Sequence, residues 1–144
     1  MKHWLRNIAA VVAGFVVGSA VNMGLIALGP VLVPPPAGVD MTTAEGLAAG
    51  IQLLEPKHFL MPFLAHALGT LAGAFVAWLV AGSHKAVFAW VIGVLFLAGG
   101  VAAAFMIPAP AWFIAADLVL AYLPMAWLAI LLGRRLPGRP APIA

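Results

Sequence analysis

The sequence contains no cysteine. Disulfide staples, thiolate metal sites and thiol–disulfide chemistry are therefore excluded, and the redox compartment leaves no mark. Charge is almost as scarce. Only 8% of the residues are Asp, Glu, Lys or Arg, against roughly 25% in an ordinary soluble domain. A chain so poor in charge cannot build a water-solvated surface. Neither a phosphate-binding loop nor a metal-ligand cluster of close spacing occurs, and no serine stands beside a base within the apolar segments. The basic excess, +3 overall, lies at segment ends, which argues for membrane topology rather than a nucleic-acid partner.

What fills the chain is apolar: 65% of the residues, with a mean hydropathy of +1.15. These residues form four blocks, roughly 5–29, 58–82, 86–107 and 111–133. A spanning helix needs about 20 apolar residues at 1.5 Å each, so each block crosses once. In the first block Lys2 and Arg6 precede an apolar run from Ile8 to about Leu28, too long for a signal-peptide core of roughly 7–15 residues. The pattern predicts one all-α membrane domain over 1–144, a four-helix bundle with the bilayer as its first partner. Residues 30–57 form the single large loop, and Pro137, Gly138, Pro140 and Pro142 leave a disordered tail over 136–144.

Six of the seven basic residues (Lys2, Arg6, Lys85, Arg134, Arg135 and Arg139) fall on one side, and Lys57 falls alone on the other. That bias places both termini in the cytoplasm. In the outer loop, Gly29-Pro30 is expected to end the first helix, and Pro34-Pro35-Pro36 imposes an extended segment. Thr42 precedes Glu45 by three residues in the form of a capping box. Leu47, Ile51 and Leu54 follow at helical spacing, predicting a short amphipathic helix at about 43–54 on the outer face.

Leucine gains nothing by leaving lipid, so small residues must bring the helices together. The first span carries Gly14 and Gly18, the second Gly69 and Gly73, each pair at a four-residue step. The third span offers Gly99 and Gly100. These are the expected packing positions, within one chain or between protomers of a homo-oligomer.

Three polar side chains fall inside the spans: Asn22, His66 and Asp117. Counted at 1.5 Å per residue, Asn22 lies about 10 Å and Asp117 about 9 Å from the outer helix ends; His66 lies about 6–13 Å deep. An ionisable group at such depth faces the bundle interior or a wet cavity. The expectation is one polar layer in the outer half, with Asp117 paired to His66 and Asn22 adding hydrogen bonds. Such a layer is either a register-fixing clamp or a functional pocket, and both readings stand. Pro124 should kink the fourth helix, with the hydroxyl of Tyr122 near the bend.

Glu55-Pro56-Lys57-His58 has the Glu-x-x-His spacing of di-iron bundles, but as a single copy with a proline inside it. Glu55 and His58 are therefore read first as boundary residues among head groups, then as outer-face ligands. No metal site and no cofactor is assigned.

The stretches Val21-Asn22-Met23-Gly24-Leu25-Ile26, Pro34-Pro35-Pro36-Ala37-Gly38-Val39-Asp40, Glu55-Pro56-Lys57-His58-Phe59 and Ala65-His66-Ala67-Leu68-Gly69 resemble those of a group of small four-helix bacterial inner-membrane proteins. The resemblance covers nearly the whole chain. It implies a bacterial plasma membrane and brings no established activity. Two functions follow as expectations. The first is a non-enzymatic accessory or binding subunit, or a minor transporter, in a homo-oligomer or larger complex. The alternative is a metal-, haem- or quinone-linked redox protein or enzyme using His66 and Asp117.

Overall fold

In the computed structural model, which describes residues 3–136, every regular element is helical. Helix α1 spans His3–Leu32, α2 Ala44–Gly50, α3 Leu60–Val80, α4 Lys85–Met106, α5 Ala111–Leu120 and α6 Leu123–Arg134. Two 3₁₀ turns, Ile51–Leu53 and Pro56–Phe59, join α2 to α3. Four helical stretches are long and apolar enough to cross a membrane: His3–Leu32, Pro56–Val80, Lys85–Met106 and Ala111–Arg134. The tail expected over 136–144 lies, from Pro137 on, outside the described residues.

Helix α3 is central, packed on α1 along one side and on α4 and α6 along the other. The α1–α3 seam is made by glycines. A Cβ on Gly14 would lie 2.6 Å from the carbonyl oxygen of Gly73, and one on Gly69 would lie 2.9 Å from that of Gly18. The backbones themselves touch there, the approach that small residues at four-residue steps allow. On the other side, Ala74, Ala77, Ala89, Ile92, Ala126, Ala129 and Ile130 form the main buried cluster. Large apolar side chains such as Val12, Val16 and Met23 of α1 point outward, more than half exposed.

Gly99 does not belong to this packing. A Cβ there would meet nothing within 4 Å, because Gly99 borders open space between α4 and α1. Gly100, one residue on, faces inward, and a Cβ there would collide with the ring of Tyr122.

At the end that carries both termini, α1 fastens the α3–α4 turn. The Asn7 amide oxygen accepts from the Gly82 N–H at 2.9 Å and the Ser83 N–H at 3.3 Å, and its Nδ2 donates to the Ser83 hydroxyl at 3.0 Å. Arg6 donates to the Val80 carbonyl at 3.2 Å, a cation at the C-terminal end of α3 where the helix dipole favours one. His3 Nδ1 lies 3.1 Å from the Gly82 carbonyl oxygen, a third tie from α1 to that turn.

The opposite end departs from the sequence expectation in three ways. Helix α1 continues through Pro30 to Leu32 instead of stopping at Gly29-Pro30. One proline costs one backbone bond, and Val33 N–H still reaches the Gly29 carbonyl at 2.8 Å. The stop comes at Val33, which precedes Pro34 and is steered away from helical geometry. The cap of α2 is Thr43, whose hydroxyl accepts from Gly46 N–H at 3.0 Å. Thr42 is engaged elsewhere: its hydroxyl and N–H both donate to Asp40, at 2.6 and 2.8 Å. Those bonds, the hydroxyl's first, hold the Asp40 carboxyl below its ordinary value of 3.8. Finally, α2 covers only Ala44–Gly50 before tightening into the first 3₁₀ turn, shorter than the helix expected over 43–54.

Since backbone faces backbone at the seam, Gly73→Leu has no soft neighbour to displace. Overpacking of this kind costs about 1–3 kcal/mol or more. The expected outcome is a marked drop in melting temperature in mild detergent. Gly24→Leu, where a Cβ meets nothing within 4 Å, should melt like the parent. Equal melting of all three proteins would remove the seam from the packing.

Candidate functional site

The site begins with a break in the last span. Pro124 has no N–H to offer the Leu120 carbonyl, and the helix opens at Ala121 and Tyr122 before restarting as α6, with Pro124 in its first turn. Tyr122 takes φ −116° and ψ −78°, outside helical values. This is a break rather than the expected kink, and it has a chemical consequence. Residues five apart on a regular helix point about 140° apart. Across the break, however, the Tyr122 hydroxyl donates to Oδ2 of Asp117 at 2.9 Å. Gly100 on α4 leaves the space the tyrosine ring fills.

Asp117 also meets α3. His66 Nδ1 lies 2.9 Å from both Oδ1 and Oδ2. The imidazole stacks on the Tyr122 ring with centroids 5.8 Å apart and planes 27° apart. One turn on, the Thr70 hydroxyl donates to the His66 carbonyl at 2.7 Å, a local bond that turns an otherwise costly buried hydroxyl into part of the helix. Asp117 is 5% exposed and Tyr122 2%. His66 is more open, its side chain 22% exposed.

Asp117 holds His66 through Nδ1 alone. No described residue bonds the other ring nitrogen, Nε2, which is left open on the far edge of the His66 ring.

That residue lines a cavity of about 250 Å³. Its walls are almost wholly apolar: Met41, Leu47, Ile51 and Leu54 from the loop segment roof it, Phe113 and Ile114 of α5 form one side, and His66 and Asp117 form the polar floor. The short helix and turn of the loop thus face inward over the pocket.

Asn22 does not join the pair. No hydrogen bond links it to His66 or Asp117; it sits half-buried against Gly69. Its depth along α1 matches the other two, but depth says nothing of direction around the helix. Tyr122 takes the place expected of Asn22.

His58 is also displaced from its expected position among head groups. It is 5% exposed. Glu55 N–H donates to its Nδ1 at 2.9 Å, and its Nε2 donates to the Pro34 carbonyl at 3.1 Å. The ring pins the end of α1 to the start of the third helix, and beside it Phe59 packs on Trp112 and Phe113 with centroids 5.5 and 4.9 Å apart. The Glu55 carboxylate points elsewhere, to Lys57 Nζ at 3.1 Å, with both side chains largely exposed. Glu55 and His58 therefore present no common ligand face, and among the described residues no three His, Cys, Asp or Glu gather closely enough to hold an ion.

Comparison of the chain with family models, with curated proteins and with solved structures finds no match.

Interhelical hydrogen bonds in membranes average about 0.6 kcal/mol. If Asp117 is the hub, Asp117→Ala should destabilise more than Tyr122→Phe, and Tyr122→Phe should cost little once Asp117 is gone. A double-mutant cycle read by detergent unfolding should show coupling of about 0.6 kcal/mol or more; strictly additive losses would mean that Asp117 and Tyr122 do not act together. Separately, His58→Ala should raise hydrogen exchange several-fold over 39–54, because it frees the Pro34 carbonyl and the Glu55 N–H that hold that segment down.

Proposed function

We propose that this chain is a four-span protein of a bacterial plasma membrane that binds a small lipophilic molecule at His66, Asp117 and Tyr122. On this reading it serves as a binding or accessory subunit of a homo-oligomer or larger membrane assembly, without chemistry of its own. One observation carries it: an imidazole held in place by Asp117, with its second ring nitrogen unbonded, lines a cavity whose walls are mostly apolar. Ligand pockets have this character, with mostly apolar walls and a few placed polar groups.

Orientation rests on charge. Arg6, Lys85, Arg134 and Arg135 gather at the end that carries the termini, against Lys57 at the other. Lys85 Nζ stacks 4.4 Å over the Trp78 ring at that end, an arrangement suited to the head-group zone. The pocket then lies in the outer half of the membrane, roofed by α2 on the outer face. Resemblance to small bacterial inner-membrane proteins supports the same compartment.

A second reading, a redox protein or enzyme on the same pair, is favoured by the bonds running from Tyr122 through Asp117 to His66, which form a path for a proton. A metal or haem would have to find ligands beyond His66. With His58 occupied by backbone groups, the binding reading is the stronger.

Protein purified in mild detergent should be colourless and should retain a lipophilic compound detectable by mass spectrometry of its organic extract. His66→Ala should retain at least tenfold less. Equal retention by both would remove the site, and a visible chromophore or stoichiometric metal lost in His66→Ala would establish the redox reading instead. For orientation, the natural lack of cysteine allows single-cysteine labelling. Ala37→Cys should react with an impermeant maleimide in intact cells, and Leu136→Cys only after lysis; the reverse result would invert the topology.

A further inference from the structure

His66 and Gly100 border two cavities. The second, about 260 Å³, opens sideways between α1 and α4. At its rim Phe15, Met23 and Leu95 are 48%, 64% and 43% exposed, so it opens on the apolar flank that lipid would cover. Its origin is local. Helix α1 is drawn onto α3 by the glycine seam, and α4 lacks a side chain at Gly99, leaving a slot between α1 and α4. A slot in that position is reached from the bilayer, not from water.

The inner end of this window is polar without being charged. Ser19 and Asn22 of α1 face it together with His66 of α3 and Tyr122. No described residue bonds the Asn22 amide or the His66 Nε2, and both residues line the slot. Neither Lys nor Arg lines the slot, so a carboxylate or phosphate head would meet no counter-charge. Ring surfaces flank it: Phe15 and Phe96 with centroids 5.7 Å apart, and Tyr122 stacked on His66. The volume lies near the smallest ligand pockets, enough for one flat ring rather than a whole lipid. A flat, uncharged ring bearing two carbonyl acceptors meets each of these conditions.

We infer that the window takes the ring of a membrane-dissolved isoprenoid quinone. One ring carbonyl accepts from His66 Nε2–H and another from the Asn22 amide, while the chain stays in the lipid between α1 and α4. This rests on the reading of His66 as a ligand donor and adds the class of ligand and its route; it concerns binding alone and involves no electron transfer.

The experiment uses the full chain in nanodiscs with an azido-ubiquinone carrying one isoprenoid unit, photolysed and mapped by mass spectrometry. Labelling should saturate, fall in 15–23 and 95–103, and be competed by ubiquinone of the same chain length. Gly99→Leu places a side chain in open space, so it folds, and it should weaken apparent affinity at least tenfold, as should Asn22→Leu. Ala104→Phe, which narrows only the outer cavity, should change it less than threefold. The opposite pattern, with Ala104→Phe blocking and Gly99→Leu silent, would put the ligand in the outer cavity: the window is then wrong and the binding reading survives. Absence of saturable labelling overturns the quinone assignment, whereas loss of the binding reading itself shows in the extract comparison with His66→Ala.

Discussion

The contact between Gly14 and Gly73 sets the rest of the molecule. No side chain stands between the two backbones, and a Cβ on either residue would lie 2.6 Å from the other's carbonyl oxygen. In a bilayer, apolar area gives no net preference for protein over lipid, so such close approach must supply the attraction that a soluble core obtains from burial. It commits α1 to α3. Because α1 is spent on α3, it meets α4 only loosely, and the window at Gly99 and Gly100 follows from that geometry. The same helix also braces both ends of the bundle, through Asn7 at the α3–α4 turn and through the Pro34 carbonyl at His58.

The second determinant is the break at Ala121 and Tyr122. An unbroken fourth helix would send Tyr122 away from Asp117, leaving the carboxylate with His66 alone. The break turns the tyrosine beneath the carboxylate and against Gly100, so that one acidic side chain ties three segments, α3, α5 and the start of α6. Every buried side-chain polar atom among the described residues finds a partner. In hydrocarbon that is a requirement rather than a refinement, because no water is present to supply the missing bond.

Much of this could be read from the chain before folding. Four spans follow from block length, and the α1–α3 seam from two glycine pairs at four-residue steps. His66 and Asp117 fell at similar depth, and they meet. What the sequence hid is directional. Depth placed Asn22 level with them, but a rise of 1.5 Å per residue carries no information on which way an unmatched helix face turns. Tyr122 was seen near the bend but not in the cluster, since a residue five positions on belongs to the far side of any regular helix; only the Pro124 signal hinted that the rule would fail there. His58 was misplaced because a histidine between a lysine and an apolar span reads as interfacial, whereas its two bonds are to backbone groups whose positions no spacing rule supplies. Gly99 and Gly100, adjacent and alike in sequence, differ in surroundings: Gly99 borders open space and Gly100 is filled against by the Tyr122 ring.

The cluster is costly for a clamp. A carboxylate in a span costs at least about 2.5 kcal/mol on insertion scales, while an interhelical bond offsets about 0.6 kcal/mol on average. Asp117 makes bonds to two side chains, so average values leave the layer short of breaking even. A pair of asparagines or serines would fix register at less cost. A clamp would also be expected to close on itself, as His58 does, with both ring nitrogens engaged. His66 is bonded at one nitrogen and open at the other, at the wall shared by two cavities. The contrast between these two histidines, one closed and one open, is what the proposed binding role of His66 rests on.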